Sequence, residues 1–314
     1  MAAASASVIS ASANDGQPIK VLVGFPAGGS TDFIARSLAV GLSKELDRPV
    51  IVENRAGAGG QIAALALKSA KPDGLTLLLS NSHTISMIPL TTANPGFSPI
   101  KDFVPVGLVA INPDVFVINP SVVAVPNAGL REFAQWAKAH PGNGNVGVPA
   151  PDSNTDFAVG IVSRALDSDL TSVPYRGDGP VAQDVTSGQV PAGIGSVGTM
   201  LPFAQAGKIR IVAVNGTARL ALLPSVPTYS EQGVKGYEEV IFTAMFAPAG
   251  TSARLIQAYN DAITKTVKSA DFVSKMAAMG ITAASSTPVE LAARVENTNA
   301  AFERMVKEAG RVPH

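Results

Sequence analysis

The amino-acid sequence predicts an α/β protein built of two lobes, each a mainly parallel sheet flanked by helices, with a cleft between them. Three observations carry this. The first 80 residues read as strand–helix–strand–helix–strand, the order that generates a parallel sheet with helical crossovers. A second series of the same kind begins after residue 126. With 314 residues the chain is long enough for two separate cores.

The first strand is the run Ile19 to Phe25, ended by Pro26 and followed by Gly28-Gly29-Ser30-Thr31. Apolar residues at Phe33, Ile34, Leu38 and Leu42 then recur with a helical period from Thr31 to Leu46. Pro49 to Val52 is the second strand, Gly57 to Gly60 a turn, and Gln61 to Ser69 an Ala/Leu-rich helix. Leu75 to Leu79 is a buried third strand. Short strands follow at Val104–Val109 and Val115–Asn119, and Pro120 to Pro126 reads as a crossing segment. The second series places helices at Leu130–His140, Thr155–Leu166, Val181–Ser187 and Thr199–Gly207. Its strands are Asn145–Val148, Thr171–Pro174, Gln189–Ile194 and Ile209–Val214. Gly and Pro punctuate the junctions, as short βα and αβ loops require. A last segment has a strand at Val240–Phe246 and two long helices, with Thr251 and then Ser286 or Thr287 placed to cap them. It is too small for a third domain. The expected division is therefore residues 16–120 in lobe one, 121–235 in lobe two and 236–314 returning to lobe one.

Composition excludes several functions. Lys plus Arg and Asp plus Glu number 24 each, so no field for nucleic acid or an anionic membrane face exists. With no cysteine, thiol nucleophiles, disulfides and Cys-ligated metals are ruled out. The opening MAAASASVISASAND holds Ala11-Ser12-Ala13 just before Asn14 and reads as the tail of a signal peptide. No cofactor and no metal is expected. There is no P-loop lysine, no G-x-G-x-x-G spacing before Glu53, and no H-x-x-x-H pair.

The strongest chemical feature is Gly24 to Asp32. A strand end, glycines and a helix start collect free backbone N–H groups, an anion site for a carboxylate or phosphate. Phe25 adds an apolar wall, Ala27 and Gly28 backbone, and Ser30 and Thr31 hydroxyls. Asp32 either joins them or ties the loop together. The loop after the third strand, with Ser82 and His83, should lie beside it. In the second series Ser153 and Asn154, then Tyr175, Arg176 and Gly177, then Gly195 and Ser196 stand at polar, Gly-rich strand ends. Arg176 could grip a carboxylate or pair with Asp178. Trp136 sits with Phe133 as core. Donors abound, but no nucleophile–base–orienter set appears, so binding is favoured over catalysis. The alternatives are a hydrolase or lyase using His83, and a structural or sensory scaffold without ligand.

The sequence resembles the receptors of tripartite tricarboxylate transporters, the periplasmic solute-binding proteins also called Bug proteins. The resemblance runs from about Pro18 to Gly310. It rests on PIKVLVGFPAGGSTDFIAR, VIVENRAGAGG, KPDG, VPYRGDGP, AGKIRIVAVNGTAR, LPSVPTYSEQG, FAPAGTSARLI and ELAARVENTNAAFERMVKEAG. It implies a two-lobe periplasmic binding protein fold and capture of a small organic acid, an aliphatic dicarboxylate or aromatic acid. It also implies a periplasmic, monomeric receptor that delivers to a membrane permease. Gly24 to Asp32, Ser82 and His83 would then line the pocket from lobe one. Ser153 and its neighbours, Tyr175 to Gly177, and Gly195-Ser196 would face them. Two departures stand out. Asp156 occupies a place where His is common, and Gly195-Ser196 replaces an Asp–Asn-like pair, which would leave room for a ring. Asp152 and Asp156 would repel a bare carboxylate unless they turn away.

Overall fold

The computed structural model describes residues 16–309; the Ala11–Ala13 motif lies outside them. The first lobe opens with β1 (Ile19–Val23), α1 (Ser30–Glu45), β2 (Val50–Asn54), α2 (Gln61–Lys68) and β3 (Thr76–Asn81). A π-helical turn, His83–Met87, runs into α3 (Ile88–Thr91), and α4 (Pro99–Asp102) leads to β4 (Phe103–Asn112). The second lobe follows as β5 (Asp114–Ile118), α5 (Leu130–Ala139), β6 (Asn145–Val148), α6 (Asn154–Ala165), β7 (Thr171–Pro174), α7 (Asp178–Ser187), β8 (Ala192–Ser196), α8 (Val197–Gln205) and β9 (Arg210–Val214). The chain then returns as β10 (Ile241–Pro248), α9 (Ala253–Val267), α10 (Ala270–Ala278), β11 (Thr282–Ala283) and α11 (Pro288–Glu308).

Two mixed sheets result, ordered β11-β4-β10-β3-β1-β2 and β7-β6-β8-β5-β9. As expected, most strands of each sheet run in one direction; β10 and β11 in the first sheet and β5 in the second are reversed. β10 is antiparallel to both β3 and β4, and β5 is antiparallel to β8 and β9. The cause is the double crossing. β4 carries the chain out of lobe one and β10 brings it back alongside, so the two run in opposite directions. Each sheet is sandwiched between apolar layers. Leu77 and Leu79 face one layer of lobe one and Leu78 the other, the period-2 alternation of a strand covered on both faces. Phe116 and Ile118 face one layer of lobe two, and Val115 and Val117 the other.

The structure also moves two boundaries. The first crossing is at Pro113, not 120, because Val115–Ile118 pairs within the second sheet. The final segment does not belong to lobe one alone. Leu291 and Val295, early in α11, pack in the first lobe's core. Phe302, Met305 and Val306, near its end, pack in the second lobe's core with Phe133 and Phe157. The helix thus spans the two lobes. Its start carries a capping box, with Thr287 and Glu290 exchanging side-chain and backbone bonds. α9 is capped by Ser252 rather than Thr251. α10 and the short β11 were not anticipated.

Backbone proximity shapes the rim of the cleft. Gly24, just past β1, lies against Gly60, so that a Cβ there would stand 2.5 Å from the Gly60 Cα. That contact is with backbone and cannot be relieved by a rotamer. Gly24→Ala should destabilise the protein by about 1–3 kcal/mol through overpacking, read as a lower urea midpoint with an unchanged slope.

Candidate functional site

β1 and β3 of one lobe and β6, β7 and β8 of the other all end at the cleft, where open α/β sheets hold ligands. A cavity of about 310 Å³ lies there, with walls from both lobes. A neighbouring space of about 650 Å³ shares Phe25, His83, Pro149, Ala150 and Arg176 with it.

Four helix starts meet at the first cavity: Gly29–Thr31 of α1, Ser153–Thr155 of α6, Gly177–Pro180 of α7, and Ser196 with Thr199 of α8. The first N–H groups of a helix have no partner within it. Among the described residues those of Ser30, Thr31, Asn154 and Thr155 form no hydrogen bond. Each helix also brings a partial positive charge to its start.

The α1 and α6 starts are built alike, one in each lobe. Gly28 and Asp152 both take left-handed backbone, with φ 84° and 50°. Gly29 and Ser153 follow as extended N-caps, with ψ 169° and 164°. A threonine comes third in each helix neighbourhood, Thr31 and Thr155, and then an aspartate. Asp32 Oδ2 accepts the Gly28 N–H at 2.9 Å. Asp156 Oδ2 accepts the Asp152 N–H at 2.8 Å. Both carboxylates therefore turn back to brace their own loops. Asp32 also accepts from Arg36 Nε at 3.0 Å and Asn54 Nδ2 at 2.9 Å. Burial opposes its ionisation, but the bonds from Arg36, Gly28 and Asn54 prevail and hold it below the usual carboxylate range.

This corrects the expectation for Asp32, which braces the cradle and does not line the cavity. Phe25, Ala27, Gly28, Ser30 and Thr31 do line it. Ser82 does not. It is fully buried as the N-cap residue of the π-helical turn, a stretch expected to be loop. His83 lines both spaces, is 5% exposed, and neither ring nitrogen has a partner. Burial pushes its pKa down to about 4, so it is neutral near pH 7. Among the described residues no carboxylate is bonded to it, as one is to the histidine of a Ser-His-Asp triad.

In the second lobe Ser153, Asn154, Arg176, Gly177 and Ser196 line the first cavity. Tyr175 lines only the neighbouring space, its hydroxyl given to Asp184 at 2.8 Å. Gly195 does not leave room for a ring. A Cβ there would meet the Met200 methyl at 2.7 Å and Asp178 Oδ1 at 2.9 Å. Nor does Arg176 pair with Asp178. The acid takes the Ser196 hydroxyl at 2.5 Å, and Arg176 makes no ion pair among the described residues.

Sequence reasoning missed several lining residues. Asn112 and Asp114 flank the Pro113 crossing, and Asn112 Nδ2 donates to the Ser30 hydroxyl at 3.2 Å. Thr243 of β10 also lines the cavity, and Asn81 and Thr199 join it from the expected polar stretches after β3 and β8. The available signal was Asn112-Pro113-Asp114 itself, a polar interruption between two strands that are otherwise almost wholly apolar.

Two α/β lobes joined by crossing strands, with a polar cavity between facing helix starts, define a periplasmic binding protein fold. The family model of the tripartite tricarboxylate transporter family receptor matches residues 34–311, and the chain belongs to that family. Protein BugT of Bordetella pertussis is 32% identical over 306 residues, 97% of this chain and 93% of its own length. The solved structure of R. palustris Rpa4515 with adipate superposes with a TM-score of 0.89 at 28% identity, covering 95% of this chain and 99% of that one. MatC from Rhodopseudomonas palustris with bound malate gives 0.83 at 29%, covering 92% and 99%. The chain is a solute-binding receptor and not an enzyme. Among the described residues no helix is long and apolar enough to cross a membrane.

Proposed function

We propose that the protein captures a small organic carboxylate in the periplasm, as a monomer, and delivers it to the membrane permease of a tripartite transporter. The observation that carries the ligand class is the meeting of four helix starts at one cavity. Unpaired N–H groups and helix dipoles of one sign favour an anion there. The Ser30 and Thr31 amides and hydroxyls form the principal cradle, with Phe25, Ala27 and Gly28 closing its edge. Asn154 and Ser153 face it from lobe two. His83, neutral and unpartnered, offers a donor or an acceptor to the bound molecule. Arg176, free of Asp178, adds a cation at the mouth where the two spaces join, and favours a ligand with a second acidic group. Related structures hold adipate and malate, both small carboxylates, which supports the reading.

A thermal-shift screen of mono- and dicarboxylates, aromatic acids and neutral sugars tests it, with calorimetry on the hits. A carboxylate should raise the melting temperature and bind with one-to-one stoichiometry. Tight binding of a neutral sugar with no response to any carboxylate would overturn the assignment.

A further inference from the structure

Asp114 opens β5 on the wall of the ligand cavity and is 2% exposed. Its Oδ2 accepts from Asn154 Nδ2 and from the Tyr237 hydroxyl, both at 2.9 Å. Its Oδ1 takes no hydrogen bond among the described residues. Across the sheet Asp114 pairs in register with Ser196, whose hydroxyl donates to Asp178 Oδ2. One residue pair thus brings two carboxyl groups to the same strand end, and both line the cavity. Neither has a cationic partner among the described residues. A carboxyl buried as deeply as that of Asp114 is costly unless something pairs with it. His83 supplies an independent sign that the cavity is built for a polar guest, because it lines the same space with both ring nitrogens unpartnered.

We propose that Asp114 and Asp178 form a subsite for an ammonium group, so that the preferred ligand is an amino acid whose carboxylate lies on the Ser30–Thr31 cradle. The inference rests on the carboxylate-receptor reading above and adds the second functional group. The spacing fits. Asn112 touches Ser30 at the cradle, and Asp114 follows two residues on, about 7 Å along an extended chain. The carboxylate and ammonium of an α-amino acid lie about 3 Å apart, and a hydrogen bond of about 3 Å at each end carries their reach across that interval. The ammonium supplies the donors that Asp114 Oδ1 lacks and offsets one negative charge of the pair.

The same arrangement sets a pH dependence. Burial, with the charge of Asp178 added, pushes the Asp114 pKa up to about 7. The other groups around it are Tyr237 and Tyr229 from the segment before β10, and His83 and Arg176 on the cavity walls. An ammonium binds the ionised acid. Its affinity should therefore fall as pH drops through about 7, whereas a plain diacid, repelled by the ionised acid, should gain affinity over the same range.

Calorimetry with matched pairs tests the proposal: glutamate against glutarate, aspartate against succinate, leucine against 4-methylpentanoate, and phenylalanine against 3-phenylpropanoate. The titrations are run at about pH 8 and about pH 6, on either side of the Asp114 transition. In the pair that fits the cavity, the amino member should bind about tenfold or more tightly than its partner at the higher pH. Asp114→Asn should abolish that preference, and Asp178→Asn, a change at a partly exposed residue, carries the same test if the first variant fails to fold. Equal or tighter binding of the des-amino partner, or a preference that survives both variants, would overturn the inference and leave the carboxylate reading standing. If no member of any pair binds and no other carboxylate does, both fail together.

Discussion

Ser30→Pro should weaken carboxylate binding by about two orders of magnitude or more while leaving the melting temperature of the unliganded protein nearly unchanged. The substitution removes the Ser30 N–H and its hydroxyl together. A hydrogen bond to a charged group contributes about 1.5–3 kcal/mol, and about 1.4 kcal/mol is tenfold in affinity. The backbone accepts the change. Ser30 is the first residue of α1, the position where proline is best tolerated in a helix. Gly29 before it has φ −78° and ψ 169°, the extended conformation that a residue preceding proline adopts. Among the described residues the hydroxyl's one hydrogen bond is the 3.2 Å contact from Asn112, which is lost at small cost. Calorimetry and a melting curve on the same sample separate the two effects. A variant that melts normally and binds the acid with unchanged affinity would show that the cradle is not where the carboxylate sits.

Phe302→Ala should cost about 3–5 kcal/mol of stability, the range for removing a fully buried aromatic side chain. Phe302 is 1% exposed. It stands on α11 at the point where that helix has left the first lobe's core and entered the second's. Leu291 and Val295 anchor one end, and Phe302, Met305 and Val306 the other. The loss should appear in urea unfolding. Because the helix joins both cores, the second lobe's tryptophan fluorescence, from Trp136 beside Phe133, should report an earlier transition than in the parent protein. An unchanged midpoint by both fluorescence and circular dichroism would mean that the second lobe does not depend on this helix.

The sequence made the elements of both lobes legible because their signals are local. Alternating Gly and Pro junctions, the apolar runs of β1 and β3, and the Thr287–Glu290 capping box each act within a few residues. Sheet order was not local. The antiparallel placement of β10 beside β3 and β4 depends on where the chain crosses, and Val115–Asn119 carries no mark that assigns it to one sheet or the other. The same division holds at the site. The Gly28–Thr31 cradle was visible as glycines at a strand-to-helix junction. The bracing roles of Asp32 and Asp156 needed the left-handed turns at Gly28 and Asp152 to be seen, because only that curl brings the carboxylate to an N–H four residues back. Asp114 was missed because a lone acid beside a proline looks like a surface turn. Its burial arises from Asn154, Tyr237 and Asn215, which lie far along the chain and meet it only in the fold.

The central claim is that one carboxylate of the ligand sits on the start of α1. A crystal structure with the tightest-binding acid from the screen tests it most directly. The account predicts carboxylate oxygens within hydrogen-bonding distance, about 2.7–3.2 Å, of the Ser30 and Thr31 backbone nitrogens, with lobe two closing on the ligand through Asn154. A ligand held between the lobes with its carboxylate remote from those two nitrogens would contradict it.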